Sequence, residues 1–194
     1  MSTGGKIEQI EIETEAKLHD WLSENGARSG SRLLVTYKKG YDRYLPYDRI
    51  VRVLIAHGWV DSQPRSLDDS RSMRLISPRK PGSNWSRANR ERAEDLIEKA
   101  EMTPRGRRAV EAAKADGSWT ALIDIEAGMV PDDLVAMLGS RKGAKANFDA
   151  FPPSSRRLIL EWIDTAKTAE TRQKRLQETA DKAVRNQRAN HYRR

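Results

Sequence analysis

The residues best suited to chemistry are polar and cluster in one third of the chain. Asp61, Gln63 and Arg65 alternate along Trp59–Arg65, and alternate residues of an extended chain share a face. Arg71 and Arg74 follow a turn that holds Asp68 and Asp69. The next stretch, MRLISPRKPGSNWSRAN (Met73–Asn89), starts like a strand and ends like a helix cap. It carries Arg79 and Lys80 between prolines, a glycine at position 82, then Trp85 and Ser86. A helix opened by Ser86 has unpaired N–H groups and a partial positive charge, which suit an anion. Exposed ion pairs contribute only ~0–1 kcal/mol each, so stability is a weak reason to gather so many cations. The expectation is an anion-binding pocket formed by Gln63, Arg65, Arg74, Arg79 and the Ser86 helix start, with Asp61 orienting an arginine. The ordinary alternative is a solvated face crossed by ion pairs, with Trp85 packed as an anchor.

Other chemistry has thinner support. The histidines are His19, His57 and His191. His57 ends a helix, where the dipole favours its charged form. It reads as a capping or packing residue, with a general-base role second. The chain contains no HExxH, GxSxG, P-loop or GxGxxG pattern, and nothing with metal-ligand spacing. Glu91, Glu94 and Asp95 fit surface carboxylates that balance Arg87, Arg90 and Arg92. Arg156, Arg157 and the basic run Lys167–Arg175 suit either phosphate tracking or a solvated helix face. The solvated face is preferred, because no second aromatic stripe accompanies the charge. No cofactor is expected.

The composition sets wider limits. The chain has 194 residues, 33% of them charged, and a formal net charge of +8. Such a surface attracts polyanions, or simply keeps molecules apart. Five tryptophans and regular apolar spacing argue against disorder. The lack of cysteine excludes disulfides and thiol nucleophiles and fits a cytoplasmic protein. No secretory signal follows Met1–Lys6, and no stretch approaches a membrane span.

The elements that must position these groups follow from periodicity. Residues 7–12 alternate as a short edge strand. Thr14 caps a helix carrying Leu18, Trp21 and Leu22, which ends at Asn25 and Gly26. Arg32–Lys38 is the clearest strand. Pro46 opens a helix with Tyr47, Ile50, Val51, Leu54 and Ile55 on one apolar face. Residues 59–66 and 72–77 then pair as a hairpin. Beyond Ser86 the pattern is helical, with Thr103 and Pro104 capping one helix and Pro152–Ser155 starting another. Residues 118–128 read as a linker. The expected fold class is α+β: a small antiparallel or mixed sheet with helices in residues 1–127, followed by an all-helical module in 128–194 whose basic tail frays from Arg185.

Gly58–Ile97 resembles the signature block of the YdeI/OmpD-associated, or bacteriocin-protection, family. Within it lie GWVD and PRKPGSNWSRAN. Met102–Trp119 resembles the segment that follows, and VPDDLVAML and SRRLILEWIDTAKTAETRQKRL look like that family's C-terminal helical module. The resemblance extends from about Leu18 onward. Trp59, Asp61, Arg79, Trp85, Ser86 and Asn89 match the family pattern and coincide with the proposed pocket. The resemblance implies no established activity and no cofactor, and links the chain to envelope stress and to resistance to antimicrobial peptides or bacteriocins. The leading expectation is a non-enzymatic binding protein for an anionic small molecule or a protein partner. The alternatives are an enzyme acting on a phosphorylated or carboxylated small molecule, with Asp61 as acid/base, and weak nucleic-acid binding through the C-terminal helices.

Overall fold

The structure is a computed structural model and describes residues 7–190. The chain divides into two compact units, Met1–Thr120 and Ala121–Arg194. The first is built on an open mixed sheet. Its strands are β1 (Gln9–Glu11), β2 (Arg32–Tyr37), β3 (Trp59–Asp61), β4 (Arg65–Ser66) and β5 (Arg71–Pro78). The order is β1-β2-β5-β3, with β4 also on β5. Only β1–β2 is parallel among these pairings. The expected edge strand and the pairing of the two arms are therefore found, with β2 also against β5.

Helix α1 (Glu15–Asn25) starts at Thr14, whose hydroxyl accepts the Lys17 N–H at 3.2 Å. This satisfies one of the helix's orphan donors. Helix α2 (Tyr47–Ala56) lies between two cores. Ile50, Val53 and Leu54 pack with Leu18, Leu34, Trp59 and Ile76. Val51, Ile55 and Ala56 pack with Trp85, Leu96, Val110 and Trp119. A helix apolar on both sides is a buried helix. Tyr47 departs from the expected apolar face. It is about half-exposed at the first turn of α2.

The second core is closed by α3 (Arg87–Glu98) and α4 (Pro104–Asp116). Thr103 caps α4 through its hydroxyl and also donates to the Ala56 carbonyl at 2.6 Å, tying α4 to the end of α2. Gly106 permits that approach, since a Cβ there would meet the Ala56 carbonyl oxygen at 2.2 Å. Trp119 belongs to this core, so the first residues of the expected linker are packed.

The second unit is helical: α5 (Ile123–Glu126), α6 (Asp132–Gly139), α7 (Ala144–Asp149), α8 (Pro153–Asp164) and α9 (Ala169–Val184). Its core joins Ile125, Leu134, Leu138, Phe148, Ile159, Ile163, Leu176 and Ala180. Ile125 places the rest of the expected linker in this core. Ala189 is also buried, so the chain remains packed past Arg185. Arg193, Arg194 and His191 lie outside the described residues. Among the described residues no helix is long and apolar enough to cross a membrane.

Candidate functional site: a polar cleft on the first unit

The sheet sets the geometry of the site. Asp61 pairs with Ile76, and Arg74 pairs with Leu34. Directly opposed residues share a face, and Arg74 and Ile76 are two apart, so Arg74 and Asp61 both point to the helix-covered side. Arg74 Nη1 donates to Asp61 Oδ2 at 2.8 Å, and each side chain is only 9% exposed. Asp61 is thus the carboxylate paired with Arg74. Burying an ion pair has a desolvation cost that its attraction often fails to recover, so the pair is weak evidence for a purely stabilising role.

The pair forms the floor of a cleft of about 730 Å³. Gln63 and Pro64 line it from the segment after β3, Tyr47 from the start of α2, and Asn89 from the first turn of α3. The Arg74 guanidinium lies 4.6 Å from the centre of the Tyr47 ring. Burial, and then the Asp61 charge, raise the Tyr47 phenol above its ordinary range, with Arg74 and Arg92 opposing. The phenol therefore stays protonated across the neutral range and is able to donate a hydrogen bond.

The other expected site residues separate. Arg65 is exposed on β4 and opposite Met73. From the Asp61–Ile76 pair to the Arg65–Met73 pair, one arm advances four residues and the other three. This extra residue acts as a bulge and turns Arg65 to the opposite face from Asp61. Trp59 is fully buried in the core and forms no part of the cleft wall. Ser86 occupies the N-cap position of α3 without a side-chain capping bond. Arg79 and Trp85 are stacked together and line a separate small cavity. Burial pulls the Arg79 guanidinium down to about 10, while the Asp61 charge acts to raise it. The structure thus brings together Asp61, Gln63, Arg74 and Asn89, and leaves Trp59, Arg65, Arg79, Trp85 and Ser86 outside the cleft lining.

Tyr47 was missed as a site residue. Its helical spacing with Ile50, Val51 and Leu54 matches an apolar stripe, and no local signal distinguishes a stripe residue from one at the rim. His57 packs against His19, in line with a packing role, but its charge differs from that favoured by the helix dipole. It is buried, and burial, then His19 and Arg105, lower its pKa to about 4, so the imidazole is neutral despite its place at a helix end.

Two family models match the chain. Residues 10–109, just over half of the sequence, match a domain of unknown function (DUF8412). Residues 128–186 match the family described as bacteriocin-protection, YdeI or OmpD-associated. Val130–Leu138 and Ser155–Leu176, which carry part of the resemblance, lie in the second match, whereas Gly58–Ile97 lies in the first. No curated protein and no solved structure matches. The chain belongs to the DUF8412 family and carries a bacteriocin-protection, YdeI or OmpD-associated domain at residues 128–186.

Proposed function

We propose that the protein is a non-enzymatic binding protein whose cleft takes a small anionic molecule. The observation that carries this reading is the buried, one-toothed Asp61–Arg74 pair on the floor of an open polar cleft. Asp61 takes one guanidinium N–H and fixes the arginine's plane. The remaining donors of the fork are available to a phosphate or carboxylate oxygen. Tyr47, Gln63 and Asn89 offer neutral hydrogen bonds around that charge. Asp61 Oδ2 is held by Arg74 at 2.8 Å, which suits the carboxylate to positioning the cation and supports binding.

Nucleic-acid binding through the last helices has less support. Several cations of α9 are engaged within the second unit: Arg172 with Asp133 at 2.7 Å, Lys174 with Glu170 at 2.8 Å, and Lys182 with Glu178 at 2.6 Å. The description of the C-terminal family extends the proposal to a part in protection against bacteriocins.

Thermal unfolding with inorganic phosphate, citrate, a mononucleotide and a short DNA duplex tests the cleft. A ligand at 100 times its dissociation constant adds about 2.7 kcal/mol, a clear shift in Tm. The expected result is stabilisation by a small anion that is lost in Asn89→Ala and in Arg74→Lys, with urea unfolding of each variant checking that it folds. No shift with any probe, or an unchanged shift in both variants, overturns the cleft. Stabilisation by DNA alone that falls steeply with salt transfers the function to the basic helices.

A further inference from the structure

The Arg79 guanidinium lies 3.7 Å from the centre of the Trp85 ring and is largely withdrawn from water. Among the described residues no carboxylate reaches it at ion-pair distance. Its Nη1 has one long contact, to the Asn84 carbonyl at 3.5 Å, and its buried Nε has no hydrogen-bond partner. The Asp61 charge acts on it only from beyond ion-pair distance, and a shielded cation so placed is costly unless something completes it. Arg79 lines a cavity of about 70 Å³, distinct from the cleft over Asp61 and Arg74. Ser118 lines the same cavity, is only 6% exposed, and has a buried hydroxyl without a completed hydrogen bond.

The opposite wall is apolar, made by Ala109, Ala112 and Ala113 of α4. Asp116 also borders the cavity, with its oxygens accepting the Gly82 N–H at 2.8 Å and the Ser118 N–H at 2.9 Å. The nearby Ser118 hydroxyl, outside hydrogen-bond geometry, and then those N–H groups hold its carboxyl below the usual range, so it stays charged at neutral pH.

We propose that this cavity is a second ligand site, for a small monocarboxylate, with the carboxylate on Arg79 and Ser118 and a short aliphatic end against the alanine wall. A planar guanidinium matches a carboxylate edge to edge. The volume holds only a few waters, which limits the ligand to a handful of heavy atoms. Lys80 also lines the cavity and adds a second cation, but the alanine wall offers the oxygens of inorganic phosphate no donor. Asp116 places a like charge at the border, so a ligand with one negative charge is opposed less than a ligand with two. The proposal is independent of the cleft.

Trp85 forms the face on which Arg79 lies, so tryptophan fluorescence reports occupancy. The test titrates acetate, propionate, butyrate and inorganic phosphate at pH 7 and constant ionic strength. Saturable binding of propionate, at least tenfold tighter than phosphate, is expected. Arg79→Gln weakens it at least tenfold, and Arg74→Lys leaves it unchanged, which separates this site from the cleft. Ala112 is exposed, so Ala112→Leu fills the cavity from its rim without disturbing the core and abolishes binding. Absence of saturable propionate binding, binding that survives Ala112→Leu, or phosphate bound as tightly as propionate overturns the proposal.

Discussion

Arg74 and Asp61 meet at 2.8 Å on the covered face of the sheet, thirteen residues apart in sequence and each almost shielded from water. Their separation in sequence is closed by the β3–β5 pairing, which sets Asp61 opposite Ile76, two residues from Arg74. Removal of either partner alone leaves the other charge buried and unpaired. Asp61→Ala and Arg74→Ala are each expected to cost about 3–5 kcal/mol in urea unfolding. The double change Asp61→Leu with Arg74→Met is expected to recover most of that loss and to remain unable to bind anions. A double variant as unstable as the sum of the singles contradicts the buried-pair account.

Arg65 offers the contrasting case. The slip between β3 and β4 places it on the exposed face with Met73. Arg65→Ala is expected to change stability by less than about 0.5 kcal/mol and to leave ligand-induced shifts in Tm unaltered. A large loss of anion binding in this variant would return Arg65 to the site.

Gly106 permits the close approach of α4 to α2. An added Cβ meets the Ala56 carbonyl oxygen at 2.2 Å and the Met102 sulfur at 2.4 Å. Gly106→Ala raises intrinsic helix propensity, yet the clash is expected to dominate and to destabilise by about 1–3 kcal/mol. Chemical denaturation of the variant gives the sign directly.

His57 gives the fold a pH dependence. Its ring packs at 4.6 Å from that of His19 of α1 and near Arg105 of α4. Its pKa falls from 6.5 in the unfolded chain to about 4 in the folded protein. Above pH 6.5 both states hold a neutral ring, and this site imposes no penalty. As the pH drops from 6.5 towards 4, the unfolded chain takes up a proton that the folded one refuses. Stability then falls by about 1.4 kcal/mol per pH unit, reaching roughly 3 kcal/mol. His57→Phe is expected to lose this part of the slope between pH 7 and 4.5, measured as the difference in urea-unfolding free energy from wild type. Parallel slopes in the two proteins would show that the ring is not buried neutral.

The local elements were readable from the sequence because their causes are local. Thr14 before the Leu18, Trp21 and Leu22 stripe, and Thr103 before Pro104, satisfy helix N–H groups within a few residues. The branched run in β2 and the apolar periodicity of α2 needed no distant partner to be recognised. Asp61, Gln63 and Arg74 were legible as polar residues gathered on one hairpin, and Asn89 through the family pattern. Their assembly, together with Tyr47, was decided by tertiary structure. One extra residue between β3 and β4 reversed Arg65, and this slip exists only relative to β5. Trp59 went to the core and Tyr47 to the rim because α1, α2 and the sheet enclose one and leave the other open. His57 became neutral because α1 and α4 cover it, which outweighs the helix dipole that favours its charge. Periodicity and caps act over a few residues and are written in the sequence. Register, burial and charge pairing depend on segments far apart along the chain, and are settled only when those segments pack.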